Sequence, residues 1–395
     1  FTLLVTHDFR LVTYILHCPE QVGGHPETLS KYERQLGLNS TCFCEGKNPF
    51  TGVSETVSYF DNRSLLRSEI SRWLLLLRSV SLGGIVHLNN GRFITPFFGE
   101  GTHPKESLFP KPLRKMIRLY ALGLLQSEIA LHRLGAKKKA FFLTFQGSDA
   151  RETQCFVEKH QQSGLAEEVI GRSGKTNNSI RRKKTLLAGV ADKIYSLNPD
   201  LLEVLPKGSE FLPYATEAGL NPQILPFNQG SEFVVGHAPT HRMVKGTDEV
   251  IRVVQNLRSK GIKVRLELIE GLSREDAQKK YQEIDLFIDQ LVIGWYGVVS
   301  LEVMALGKPV LCFIKGRGLR FVPPRMLADL PIINADESSL EEKLMGVMQM
   351  SSEERVSLAE RGLAYLKNWH DPRKIAQRVV RDYRTVLSSK DHVII

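Results

Sequence analysis

Three runs in the second half of the chain decide the fold: VGHAPTHRMVKGTDEVIRVV at 235–254, KVRLELIEG at 263–271 and IDLFIDQLVIGWYGVVSLEVMALGKPVLCFI at 284–314. They alternate short strand signals with helix-period segments, the pattern of βα units wound into a parallel sheet. The cations Arg242 and Lys245 stand ahead of the helix that carries Val250, Val253, Val254 and Leu257. Gly297 opens a second helix, with Glu302 one turn inside it. A helix N-terminus presents unpaired amides and a positive partial charge. The amides at Gly297 and Val298 and the two cations therefore suit a diphosphate, while Glu302 can accept two hydrogen bonds from a ribose diol. Fixed cations would then stabilise the charge without a metal, and no metal is expected.

The same alternation continues on both sides. Val264, Leu266 and Leu268 mark a strand, Ser273-x-x-Asp276 resembles a capping box that starts a helix running through Ile284, and Leu286–Ile288 and Pro309–Ile314 mark two more strands. A helix is expected from Ser338, and Asp371-Pro372 reads as an N-cap followed by proline at the first helical position, starting a last helix to about Leu387. The stretch Pro206–Gly230, punctuated by proline and glycine, reads as a connection between domains. With 395 residues the chain exceeds what one core usually organises. The expected division is a first domain over 1–210, a second over 225–370 and a closing helix over 371–388.

In the first half, Val12–Leu16 reads as a buried strand followed by Gly23-Gly24, either a plain turn or a loop whose amides approach a ligand. Helices are expected over 65–82 and 112–134, and strands over 85–88, 140–145 and 193–197. In the second helix Leu113, Ile117, Tyr120, Leu124 and Leu131 share a face, with Arg114, Lys115 and Arg118 near its start. It reads either as a packed amphipathic helix or as a basic helix resting on a membrane surface. Lys137–Lys139 and Arg181–Lys184 read as solvated basic clusters without a nucleic-acid-binding motif, so no nucleic acid partner is expected.

The net charge of +10 is uneven. Residues 1–200 hold 27 Lys and Arg against 18 Asp and Glu, whereas residues 201–395 hold 26 against 25. An acidic partner or anionic surface should therefore meet the first half. The five cysteines are scattered, and Cys42-x-Cys44 lacks the second pair of ligands that a structural zinc would need. They read as reduced thiols of a cytosolic protein; contact with the inner membrane face would be peripheral and made through the basic first half. No apolar run approaches the roughly 20 residues of a membrane span.

The run His237–Glu249, Asp289-Gln290 and Gly294–Val310 resembles the donor-binding domain of the retaining glycosyltransferases of family 4. The likeness is strong over about 235–315, continuous through the rest of the C-terminal half and patchy before it, where Gly23-Gly24 and Phe145–Asp149 match expected loops. It implies the GT-B fold: two Rossmann-like domains facing across a cleft, with the last helix crossing back to the first. It also implies a hexosyltransferase that takes a UDP, GDP or ADP sugar and passes the sugar to a glycan, a lipid-linked sugar or another anionic acceptor, retaining the anomeric configuration. In such a mechanism the leaving phosphate takes the acceptor proton, and no dedicated base is needed. The implied residues are Lys245, Arg242 and Glu302 for catalysis, Gly23, Gly24, Gly271, Asp289, Gly297 and Val298 for the donor, and Gln146 and Asp149 near the donor sugar or acceptor.

The chain departs from the family at two places. The first of the family's two glutamates eight residues apart is Gly294 here, and a histidine found in many members is Gln146. Both departures touch the donor sugar rather than the nucleotide. A non-catalytic nucleotide-sugar binder of the same fold, or an epimerase, therefore stands as the alternative.

Overall fold

The computed structural model describes residues 14–20, 23–44, 57–59, 65–81, 84–94, 111–135, 139–152, 177–226, 232–314 and 316–391. Val12, Thr13, Lys137, Lys138, Cys155 and the end of the Pro206–Gly230 connection lie outside them, as do the side chains of Leu113, Arg114, Lys115, Ile117 and Arg118.

The first sheet has seven parallel strands: β1 Tyr14–Cys18, β2 Asn39–Cys44, β3 Val57–Tyr59, β4 Gly84–Asn89, β5 Lys139–Phe145, β6 Lys193–Ser196 and β7 Glu210–Phe211. Their order, β3-β2-β1-β4-β5-β6-β7, is doubly wound. Helices α1 His25–Gln35, α2 Leu65–Ser81, α3 Lys111–Gly135 and α4 Asn177–Ala188 belong to this domain. The strands are near-continuous apolar runs because both faces of a parallel sheet are covered; every residue of β5 is buried.

The second sheet has five parallel strands: β8 Phe233–His237, β9 Val264–Leu268, β10 Leu286–Ile288, β11 Val310–Cys312 and β12 Ile333–Asn334, in the order β12-β11-β10-β8-β9. Around it lie α5 Arg242–Lys245, α6 Thr247–Ser259, α7 Arg274–Glu283, α8 Val298–Ala305, α9 Pro324–Ala328, α10 Leu340–Met348 and α11 Ser352–Tyr365. Helix α6 shows the local logic. Val250, Val253, Val254 and Leu257 recur at helical spacing and are all buried, and Asp248 and Glu249 complement the positive end.

The last helix, α12 Pro372–Asp391, packs on α1 of the first domain. The Tyr383 hydroxyl meets His87 Nδ1 on β4 at 2.7 Å, Lys390 Nζ donates to the Lys139 carbonyl at 2.6 Å, and Tyr195 donates to Asp382. At the other end His370 joins the halves: its Nε2 lies 2.9 Å from the hydroxyl of Tyr296, and its Nδ1 lies 2.8 Å from the carbonyl oxygen of Tyr214. Asp371 accepts the Arg373 amide at 2.9 Å and so caps α12.

Several sequence expectations are corrected. Lys183 and Lys184 are buried inside α4, and Lys184 is paired with Glu152, because the helix turns that half of the cluster towards the sheet. Lys139 is buried as well; it donates to the Ser79 carbonyl at 2.6 Å, closing the C-terminal end of α2, and burial lowers its pKa to about 8. Tyr120 is exposed, and the core face of α3 is carried by Leu125 and Ile129. The helix expected from Ser338 starts at Leu340, since Asp336 holds Ser338 and Ser339 in a turn. Helix α11 was not anticipated, although its Ser351–Glu354 capping box is present in the sequence.

Candidate functional site

In each sheet the strand order reverses at one point, β1/β4 in the first and β8/β10 in the second. Open α/β sheets bind ligands outside the carboxyl ends of the strands at that point. His237 ends β8 and is buried, with Nδ1 2.7 Å from the Ile288 carbonyl oxygen of β10 and Nε2 2.9 Å from the Thr247 hydroxyl. Burial drives its pKa down to about 4, with the Ile288 carbonyl opposing and Lys245 reinforcing the change. It is a neutral clasp across the switch point.

A cavity of about 380 Å³ opens there, lined by Lys245 and by residues from the β8, β9 and β10 loops together with Gly23 and Tyr214. A larger one of about 680 Å³ adjoins it and shares Gly23, Arg274, Tyr281, Val298 and Glu302. The two domains meet across this cleft. A Cβ on Gly23 would come 3.0 Å from Val298 Cγ2, and Gly23 has a φ of +61°. Gly24, at φ 74°, is the N-cap of α1. The glycine pair is therefore both a turn and a wall of the cleft.

Asp289 follows β10 and organises the second domain's side of the smaller cavity. Its carboxylate pairs with Lys245, accepts the Gly297 amide at 2.6 Å and accepts the Ser300 hydroxyl at 2.7 Å. Burial pushes its pKa up, but Lys245, the amide and the hydroxyl outweigh that and hold it below the ordinary carboxylate range. The Gly297 amide, expected to face a phosphate, is thus donated to Asp289, because a buried carboxylate must have its acceptors filled. Lys245 Nζ would lie 3.8 Å from a Cβ on Gly297, so ammonium and helix N-terminus sit side by side. A lysine ammonium has three donors, and pairing with Asp289 leaves two for an anion.

Glu302 lies one turn inside α8 and lines both cavities. Its Oε1 accepts from Arg274 Nη2 at 2.7 Å. Burial raises its pKa, and Arg274 only partly offsets this. Arg242, half exposed, stands outside the cavity lining and pairs with Glu270, its Nε donating at 2.9 Å. Gly271, at φ +67°, lines the smaller cavity beside Glu270.

Gln146 and Asp149 are on the opposite side and line neither cavity. Asp149 is buried, and its carboxylate accepts the Gln146 amide at 2.9 Å and the Gly147 amide, capping its own loop. The Gln146 side-chain amide is buried with no hydrogen-bond partner among the described residues. The Gln146 backbone carbonyl accepts from the Asn198 side-chain amide.

Sequence reasoning missed Arg274 and Tyr281. Arg274 begins the helix signalled by Ser273, but its pairing with Glu302 spans 28 residues and exists only once α7 and α8 pack.

No protein-family model and no curated protein matches the chain. Solved structures do. A sucrose-phosphate synthase from Thermosynechococcus elongatus is similar at 12% identity with a TM-score of 0.59, over 95% of this chain and 100% of that one. HepE of Anabaena in complex with UDP and glucose is similar at 12% identity and 0.58, over 94% and 100%. The catalytic domain of starch synthase IV from Arabidopsis thaliana, bound to ADP and acarbose, is similar at 12% identity and 0.56, over 95% and 99%. The chain has the GT-B fold, with two parallel sheets facing across a cleft and the last helix returning to the first domain.

Proposed function

We propose that the chain is a glycosyltransferase of the family 4 type, moving a hexosyl group from a nucleoside diphosphate sugar to an acceptor with retention and without a divalent metal. The observation that carries this reading is the unit of Lys245, Asp289 and the α8 N-terminus at the β8/β10 switch point, with Glu302 at the far side of the same cavity. An ammonium beside a helix N-terminus stabilises the negative charge that grows on the β-phosphate as the sugar bond breaks. The departing phosphate then takes the acceptor proton. Glu302 holds the ribose, and the backbone around Glu270 and Gly271 meets the base.

Support for a UDP or ADP donor comes from the bound nucleotides of HepE and starch synthase IV. The acceptor is a glycan or a lipid-linked sugar, and the N-terminal domain receives it. A second reading, a non-catalytic binder, draws on Gly294 and Gln146, which remove two side chains the family places around the sugar.

Thermal shift with UDP, GDP and ADP tests the site, because a ligand at 100 times its Kd stabilises by about 2.7 kcal/mol. One nucleotide should raise the melting temperature, and none doing so would defeat the proposal. Slow hydrolysis of the matching sugar nucleotide then separates enzyme from binder. The rate should be the same in EDTA; a rate abolished by EDTA and restored by Mn²⁺ would remove the metal-independent mechanism.

A further inference from the structure

We infer that helices α2 and α3 form a docking surface for an anionic lipid bilayer, the helices lying along the interface. On α2 the exposed apolar residues are Ile70, Trp73, Leu74 and Leu77, an i, i+3, i+4, i+7 stripe. The opposite side of the same helix buries Leu75, Leu76 and Ser79. Met116, Leu119 and Tyr120 form the matching stripe on α3, and the Trp73 indole donates to the Tyr120 hydroxyl at 3.3 Å, setting the stripes side by side. These seven side chains are between 38% and 66% exposed. Scattered exposed apolar residues are ordinary, whereas a continuous apolar face on adjacent helices marks an interaction site.

The chemistry around the stripes selects the partner. The sequences of the two helices contain eight Lys and Arg against two Glu, Glu69 and Glu128; Arg72 and Glu128 are buried, which leaves seven cations against one carboxylate. Arg67, Arg78 and Arg133 are exposed. Cations around an apolar stripe are the composition of a helix lying on anionic lipid, and Trp and Tyr favour the headgroup boundary. No helix among the described residues is long and apolar enough to cross a membrane, so the face rests on the bilayer. A second copy is a poorer occupant, since a twofold interface would set this cation-rich surface against itself. The inference stands on this surface alone and does not depend on the nucleotide site.

The test uses the full chain and vesicles of phosphatidylcholine with or without phosphatidylglycerol. Flotation should show binding that needs the anionic lipid and weakens as salt shortens the Debye length below about 8 Å. Trp295 is buried and Trp369 is bonded to Asp329, so Trp73 should report the contact through a blue-shifted emission. Trp73→Phe should keep binding and lose that shift. Leu74→Glu/Leu77→Glu should weaken binding by about tenfold per leucine, with an unchanged melting temperature because both side chains are exposed. Met116→Glu/Leu119→Glu should act alike from the other helix. Binding without preference for anionic lipid, no blue shift, or full binding by both double variants would overturn the inference. So would a dimer in sedimentation velocity that Leu74→Glu/Leu77→Glu dissociates while vesicles bind nothing.

Discussion

The two domains share a doubly wound topology but present opposite surfaces. Eight of the eleven large apolar side chains exposed among the described residues lie on α2 and α3 of the N-terminal domain, and of the other three Leu272 lines the cleft. In the C-terminal domain the cleft is instead organised by ion pairs, Lys245 with Asp289, Arg274 with Glu302 and Arg242 with Glu270. Topology sets where a ligand can bind, at the switch points, while composition sets what can bind. One half presents paired charges around its cavities and the other an exposed apolar stripe.

The largest effect should come from the centre of the charged half. Lys245→Ala removes the partner of a carboxylate that is 1% exposed, a change that costs about 3 kcal/mol when a buried pair is broken. Turnover should also fall roughly 10²–10³-fold, the scale for one preorganised charge stabiliser. The double variant Lys245→Ala/Asp289→Asn should regain most of the stability, because no buried charge is left unpaired, and none of the turnover. Urea unfolding and donor hydrolysis measured on both proteins separate the two contributions. Turnover rescued by the second substitution would mean that Lys245 acts through the fold alone.

Next in size is Glu302, the residue proposed to hold the ribose. Glu302→Gln should raise KM about tenfold to 100-fold, the worth of hydrogen bonds to a charged acceptor, and change kcat less, because the ribose is held equally before and during reaction. The carboxylate must be ionised to bind the diol strongly. Donor affinity should therefore fall as pH drops through a pKa that burial has raised and Arg274 has partly restored. Arg274→Ala removes the restoring charge, so the acid limb of the profile should move to higher pH. Glu302→Gln should abolish that limb. An unmoved limb in Arg274→Ala would detach the pH dependence from this pair.

Much of the charged half was legible in the sequence, and the reason is local. Lys245 and Gly246, Gly297 and Glu302, and the strand before each are separated by a few residues, so periodicity and capping signals place them. What was not legible depends on which helices pack. Asp289 taking the Gly297 amide, Arg274 holding Glu302 and Arg242 leaving the cavity for Glu270 are contacts between segments, invisible to a window along the chain. In the first domain the leucine-rich α2 has apolar residues on both faces, and periodicity cannot tell a stripe facing the sheet from one facing solvent. The basic clusters failed for the related reason that burial of Lys139, Lys183 and Lys184 is decided by the sheet beside them.

The smallest effect tests the seam where the two halves meet. A side chain at Gly23 faces two separate penalties, a left-handed backbone at φ +61° and a Cβ 3.0 Å from Val298 Cγ2. The backbone penalty is about 1 kcal/mol for an L-residue, and the steric one depends on Val298, a β-branched side chain that cannot easily rotate away. Gly23→Ala should lower stability by about 1–2 kcal/mol. Val298→Ala should recover only the steric part, giving a coupling of roughly 0.5–1 kcal/mol in a double-mutant cycle. Gly24 is the internal control: its φ is +74°, but a Cβ there meets nothing within 4 Å. Gly24→Ala should show the backbone cost and no coupling to Val298→Ala. Because the two glycines are neighbours in one turn, a plain turn would make both substitutions independent of Val298, whereas a wall shared by two domains makes only Gly23 depend on it.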